Sequence, residues 1–534
     1  MTIPPASGQD RRSPAGSHRR ASTREASRAR TVFVVAFAFV LLAMGTWSLA
    51  TPLFGAPDEP VGVIKAAAVV RGELVGHLVG GSTSPLGSVD VPAFYANTRN
   101  VPSCYHRRPA VAASCAPAVV GTSAPKQVLI YNARYPPLYY AIVGLPSLLG
   151  AGDAEIYLMR LVSAALSAFF VALAVTTAVT WSRSRIVLVG VVVATTPMVL
   201  FLGSVVNPAG LEVSAAIAVW TAGVVLVAEH LDDPPRGLVA VLGASTCVLE
   251  LVRALSPFWV GLTAVVLLVV AERAALRRFV SHRHVRIGLA AVVVVGALAS
   301  AWIVVERSYD VYSTTVVPNG VPESTILEFS FLHNDYYLPG MIGVFGWFDT
   351  FAPTFTYVVW YGLVGFIVVA ASAVCRLRDA LTLLTFVVAV AVVPVAISTS
   401  QVHRYGYTWA GKDTLPFAVG LPILAAALVG RSSLGDHGRR IAGVVCLAAF
   451  LAQVAAFFEM LRRYAVGTSG PDFGFLVHPS WQPPTGLVSV LAVEVLALGA
   501  LSLLAYRAVG AVGAVGAVGP TAEPEAPGRS RGAS

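Results

Sequence analysis

Lysine is almost missing from this chain of 534 residues: it occurs only as Lys65, Lys126 and Lys412. Charged residues of every kind make up 12% of the sequence, against roughly 25% in soluble domains. A water-soluble protein of this length needs far more polar surface, so that class is excluded. No P-loop, Gly-rich dinucleotide motif or zinc-type spacing occurs, and no large internal repeat is visible. Cysteine is scarce too, at five residues. Cys247, Cys375 and Cys446 lie in or at the ends of apolar blocks and read as small buried hydrophobes. Cys104 and Cys115 share one polar loop, and form an expected disulfide if that loop faces an oxidising compartment. Acidic residues fall short of basic ones, for a net charge of +9. The arginines sit at the ends of apolar blocks, where they mark topology; nucleic acid is not an expected partner.

Apolar residues are what the chain has in abundance, at 56%. They come in blocks near the length that crosses a hydrocarbon core of about 30 Å. The blocks are Thr31–Ala50, Ile156–Thr180, Ile186–Gly203, Ala209–His230, Gly237–Val252, Pro257–Ala271, Ile287–Val305, Thr356–Cys375, Ala380–Ser398, Thr414–Gly430, Ile441–Met460 and Gly486–Tyr506. The expected fold is therefore all-α: a polytopic transmembrane helical bundle of about twelve spans, with membrane lipids around it. Gly237–Val252 and Pro257–Ala271 are short and are candidates for a hairpin that does not fully cross.

Residues 1–30 read as a disordered basic tail, residues 31–507 as the transmembrane domain, and residues 508–534 as a low-complexity tail. Inside turns are rich in arginine, which places both termini in the cytoplasm of a cell whose plasma membrane holds the chain. Residues 51–155 then form a large extracytoplasmic first loop, and 306–355 a later one. Within the first, Tyr135–Gly150 is apolar but broken by Pro136, Pro137 and Pro146, and reads as an interfacial helix. Arg404, Lys412, Arg462 and Arg463 fall in outside segments, where topology does not explain them.

Asp58 and Glu59 follow the first span in Phe54-Gly55-Ala56-Pro57-Asp58-Glu59-Pro60. Adjacent carboxylates at a membrane surface are candidates for a base or a divalent-cation site; the plainer reading is a solvated, proline-flanked loop. Arg253 sits in a short outer turn, where a charge is costly unless it faces a polar cavity. It is a candidate phosphate contact, or else a snorkelling residue paired with a carboxylate such as Glu250. His403, Arg404 and Lys412 flank a span start among tyrosines and tryptophans, and are candidate phosphate contacts or interfacial anchors.

Pro57-Asp58-Glu59-Pro60 before a short helical segment is similar to the start of the bacterial membrane family catalogued as domain of unknown function 2142. Matching pieces are Tyr135-Pro136-Pro137-Leu138-Tyr139-Tyr140, Tyr157 through Ala164, Trp409 through Pro416, and Arg462 through Gly467. The resemblance covers roughly residues 31–507. The family resembles a distant branch of the GT-C glycosyltransferases, which move a sugar from a polyprenyl-phosphate carrier to an acceptor outside the membrane. The resemblance implies a catalytic Asp58, as base on the acceptor hydroxyl or as ligand to a divalent metal (Mg or Mn), with Glu59 as second candidate. It implies a polyprenyl-phosphate-linked sugar and an envelope glycan acceptor as partners. Relatives often carry arginine and tyrosine near Lys412-Asp413, so the chain departs from the pattern there, and lysine loses the guanidinium fork. The alternatives are a transporter or lipid-handling protein, which would be expected to show repeats, and a non-catalytic subunit of an envelope-glycan assembly complex.

Overall fold

The computed structural model describes residues 14–80, 86–310, 316–432 and 436–516. Among these, nine helices are long and apolar enough to cross a membrane: Ala26–Ala50, Asp153–Trp181, Pro208–Glu229, Arg283–Val305, Thr354–Val374, Leu377–Tyr405, Gly411–Gly430, His437–Val466 and Leu487–Gly510. The chain is a polytopic helical membrane protein. Pro208–Glu229 and Gly411–Gly430 run through the middle of the bundle, whereas Arg283–Val305 and Thr354–Val374 leave most of their apolar surface uncovered by protein. Lipid is the solvent that satisfies such a surface.

The other three expected spans are present as shorter helices. Arg236–Glu250 and Ser256–Val270 have 15 residues each, about 22 Å of helix, which is less than the hydrocarbon thickness. Ser256–Val270 then turns by 119° into Arg273–Ser281. The block 186–203 is broken into Val187–Ala194 and Pro197–Gly203. Pro197 has no N–H to give to the Val193 carbonyl. The indole of Trp360 donates to that carbonyl instead, at 2.9 Å, and the Gln453 amide donates to Thr195 O at 2.8 Å. Neighbouring helices thus satisfy the freed backbone, as a break at membrane depth requires.

The structure adds detail at both ends and in the first loop. The first helix begins at Pro14, so residues 14–30 of the expected disordered tail are helical; residues 1–13 lie outside the described residues. Likewise the last helix runs to Gly516, into the Gly-Ala-Val repeats. The fold is helical as expected, with short strands added outside the spans. The loop between the first two long spans carries a three-stranded antiparallel sheet, β1 (His77–Leu78), β2 (Gly87–Pro92) and β3 (Pro125–Ile130), in the order β1-β2-β3. In the β2–β3 register Gly87 faces Ile130 and Pro92 faces Pro125. The expected interfacial helix is there as Leu138–Val143 followed by a turn at Leu145–Leu148, with Leu145, Leu148 and Leu149 exposed.

Cys104 and Cys115 form a disulfide with Cα atoms 6.1 Å apart. The loop it closes wraps the fully buried Arg463, whose guanidinium donates to the carbonyls of Tyr105 and Val111 and pairs with Asp349. Arg463, unexplained by topology, is a clamp holding this loop to the bundle. Arg462 pairs with Glu459 and Asp472. Replacing both Cys104 and Cys115 by serine is expected to cost about 3 kcal/mol, the loop-closure value for a loop of roughly this size. Limited proteolysis should then cut the 104–115 segment first, and unchanged resistance would contradict the account.

Candidate functional site

The first span ends at Ala50, and the chain must reverse before the buried helix Glu59–Val69. It does so through two left-handed residues, Phe54 at φ 66° and Asp58 at φ 63°. Such positions cost on the order of 1 kcal/mol each and persist only where surroundings over-determine them. Here the backbone is pinned at almost every step. Arg160 donates to Pro52 O, Trp347 to Phe54 O, Tyr464 to Gly55 O and Asn207 to Pro57 O.

Asp58 stands at the N-cap of Glu59–Val69, and its carbonyl accepts from Gly62 N at 2.9 Å, yet its side chain accepts no hydrogen bond from that helix. An N-cap aspartate normally spends its carboxylate on the helix amides. This one points outward, 45% exposed. Its Oδ1 accepts from the Tyr131 hydroxyl at 2.8 Å and its Oδ2 from Lys412 Nζ at 2.7 Å. Burial of its surroundings pushes the Asp58 carboxyl up, but the Lys412 ammonium and the hydrogen bonds from Lys412 and Tyr131 outweigh it and hold the group below the ordinary value of 3.8.

Lys412 belongs to the first turn of Gly411–Ala418, with its ammonium 5.1 Å from the centre of the Phe348 ring. Gly411 fixes its approach, because a Cβ there would lie 2.4 Å from Tyr337 O. Next to it, Asp413 accepts from Ala410 N at 3.0 Å and from Arg253 Nη2 at 2.8 Å. The other end of Arg253 pairs with the buried Glu212 at 2.7 Å, which also accepts from Ser256. The result is two polar groups that meet at the neighbouring residues Lys412 and Asp413: Tyr131–Asp58–Lys412, and Asp413–Arg253–Glu212–Ser256, with three carboxylates and two cations.

Sequence reasoning placed three members of these groups, Asp58, Arg253 and Lys412, and the fold brings them together. Arg253 is placed between two carboxylates, with Nη1 on Glu212 and Nη2 on Asp413, so it braces Asp413 and the Lys412 turn. Glu59 is fully buried and receives both Arg160 Nε and Nη2, at 2.7 and 2.6 Å, and Val206 N at 3.2 Å. That carboxylate is an anchor. His403 and Arg404 stand in another group. Arg404 and Tyr405 both donate to Asp310 Oδ1, at 2.7 and 2.6 Å, and His403 Nδ1 lies 3.2 Å from Val317 O. Tyr131 was missed, since nothing in its local sequence marks an aromatic at a strand end as an aspartate's partner.

As a metal centre the site fits poorly. Among the described residues no group of three or more His, Cys, Asp or Glu side chains stands in ligating distance. The position beside Asp58 Oδ2 that a cation would take holds the Lys412 ammonium. What the arrangement can do is keep one carboxylate ionised, oriented and half-exposed at a membrane boundary, with an ammonium that has used one of its three N–H donors on it.

Such a bundle, with a polar cluster built at one end from a long first loop and a distant helix turn, defines a polytopic membrane protein with a candidate site at its surface. The chain belongs to the family described as "Predicted membrane protein (DUF2142)", whose model matches residues 41–409. No curated protein matches it. Among solved structures it is similar to ArnT from Cupriavidus metallidurans, in the apo state and bound to undecaprenyl phosphate. Each comparison gives 16% identity over 84% of this chain and 76% of that chain, with TM-scores of 0.37 and 0.36. At those TM-scores the overlap carries no functional weight.

Proposed function

We propose that the chain is a membrane glycosyltransferase of GT-C type, with the Asp58 end of the bundle facing the outside of the plasma membrane. It takes a sugar from a polyprenyl-phosphate carrier and passes it to a hydroxyl of an envelope glycan. The observation that carries this reading is the N-cap carboxylate of Asp58, turned away from its own helix and aimed, half-exposed, between Tyr131 and Lys412. In the reaction the acceptor oxygen attacks the anomeric carbon while the bond from that carbon to the phosphate oxygen breaks. The electron pair leaves with the polyprenyl phosphate, and Asp58 receives the hydroxyl proton. Lys412 supplies positive charge beside the departing phosphate with its remaining N–H groups.

The direct test is transfer from a polyprenyl-linked sugar by membranes carrying Asp58→Asn, which is expected to be lost while the protein remains inserted. Transfer at the wild-type rate would contradict the proposal. A pH profile gives a second check. A base works when ionised, so activity falls as pH drops through its pKa. With Asp58 held below 3.8, its acid limb lies below that pH. Lys412→Met removes the strongest influence lowering that value and leaves burial, which raises it. The surviving activity of that variant is therefore expected to show an acid limb at distinctly higher pH in kcat/KM, and an unmoved limb would contradict Asp58 as the base.

A further inference from the structure

The first loop carries a second feature, separate from the Asp58 cluster. A cleft of about 440 Å³ opens beside the sheet, with Asn97, Arg99, Asn100, Val120, Lys126 and Val128 among its lining. That volume falls within the range of small-molecule sites. Its chemistry is one-sided, because two cations line it and no carboxylate does. Among the described residues neither Arg99 nor Lys126 takes part in an ion pair. Arg99 spends Nη1 on Leu129 O at 3.0 Å and Lys126 donates to Asn97 Oδ1 at 2.7 Å.

The cleft is also held open by design of the loop. One wall precedes Cys104 and the other follows Cys115, so the disulfide ties the two walls together. Asn97 adds a crosslink, its amide donating to Val120 O on the opposite wall while its oxygen receives Lys126. Arg99 fastens the first wall to β3 through Leu129 O. A pre-formed cleft does not have to order itself on binding, which lowers the cost of association.

We propose that this cleft binds an acidic saccharide, a sugar ring bearing a carboxylate or phosphate. The guanidinium fork of Arg99 and the Lys126 ammonium take the anionic group. The side chain of Asn100 and the remaining N–H of Asn97 reach ring hydroxyls, and Val120 and Val128 pack against the apolar face of the ring. The site does not depend on transfer at Asp58: it is a binding surface whether or not the chain is an enzyme.

The test is calorimetric titration of the full chain in phosphatidylcholine nanodiscs with trigalacturonate, with neutral maltotriose and with inorganic phosphate. Trigalacturonate is expected to bind saturably, at least tenfold more tightly than either of the others. The double variant Arg99→Gln/Lys126→Gln is expected to lose at least tenfold in affinity while keeping its melting temperature, and Lys126→Arg to bind as wild type. If the double variant melts early, Asn100→Asp, which puts a negative charge in the cleft, serves in its place with the same expected loss. Absence of saturable trigalacturonate binding would overturn the proposal. So would equal affinity for maltotriose or phosphate, or wild-type affinity in a folded cleft variant.

Discussion

Arg160→Met is expected to prevent accumulation of the folded protein. The guanidinium of Arg160 is fully buried and makes five hydrogen bonds: two to Glu59 and one each to the carbonyls of Ser48, Thr51 and Pro52. It joins the end of the first span, the turn that presents Asp58, and the second long span. Methionine matches its length but leaves Glu59 buried without a counter-charge and takes the guanidinium donors away from the carbonyls of Ser48, Thr51 and Pro52. Breaking a buried ion pair from one side costs about 3–5 kcal/mol, a large share of the roughly 5–15 kcal/mol that holds a typical fold. Removing both charges, in Arg160→Met/Glu59→Gln, should recover part of the loss, because the stranded carboxylate is gone. Fluorescence-detected size exclusion and thermal melting in detergent read both variants. A single variant that melts with the wild type would contradict the anchoring role.

The second large effect is expected at Asp58, and it has the opposite character. Asparagine keeps the shape of the side chain and can still accept from Tyr131, but it cannot be the proton acceptor. Removal of a positioned general base typically costs 10²–10⁴ in rate. Stability should move far less than in Arg160→Met: Asp58 itself is half-exposed, and the asparagine oxygen can still accept from the buried Lys412 ammonium. Arg160 and Asp58 lie on connected structure, yet one variant should fail in folding and the other only in turnover. Loss of folding in Asp58→Asn would recast Asp58 as one more structural anchor.

The spans were legible in the sequence because membrane thickness imposes a length on apolar blocks, and that length survives without any knowledge of packing. The short helices were legible as ambiguous for the same reason. The break at Pro197 was not, because it depends on Trp360 and Gln453 arriving from distant parts of the chain. At the site, Asp58 stood out from its place beside the first span and its Pro-flanked motif. Glu59, as the adjacent carboxylate, stood as the second candidate. Asp58 begins the helix from outside its first turn and Glu59 lies within it, so their side chains leave in different directions, one to the surface and one to Arg160. Tyr131 could not be paired with Asp58, Glu212 and Asp413 with Arg253, or Lys412 with Asp58 from sequence, since the chain separates these partners by 73, 41, 160 and 354 positions. The basic residues that topology left unexplained proved informative. Lys412 reaches Asp58, Arg463 clamps the disulfide loop, and Arg404 serves Asp310.

The central claim, that Asp58 is the base of a sugar transfer from a polyprenyl carrier, is tested most directly by the polyprenyl-linked sugars of whole cells. A strain lacking the gene is compared after complementation with the wild-type chain and with Asp58→Asn, each confirmed as inserted in the membrane. The account predicts that one lipid-linked sugar accumulates in the deletion and in the Asp58→Asn strain alike, and returns to normal with the wild type. A normal lipid-linked sugar pool restored by Asp58→Asn would contradict it.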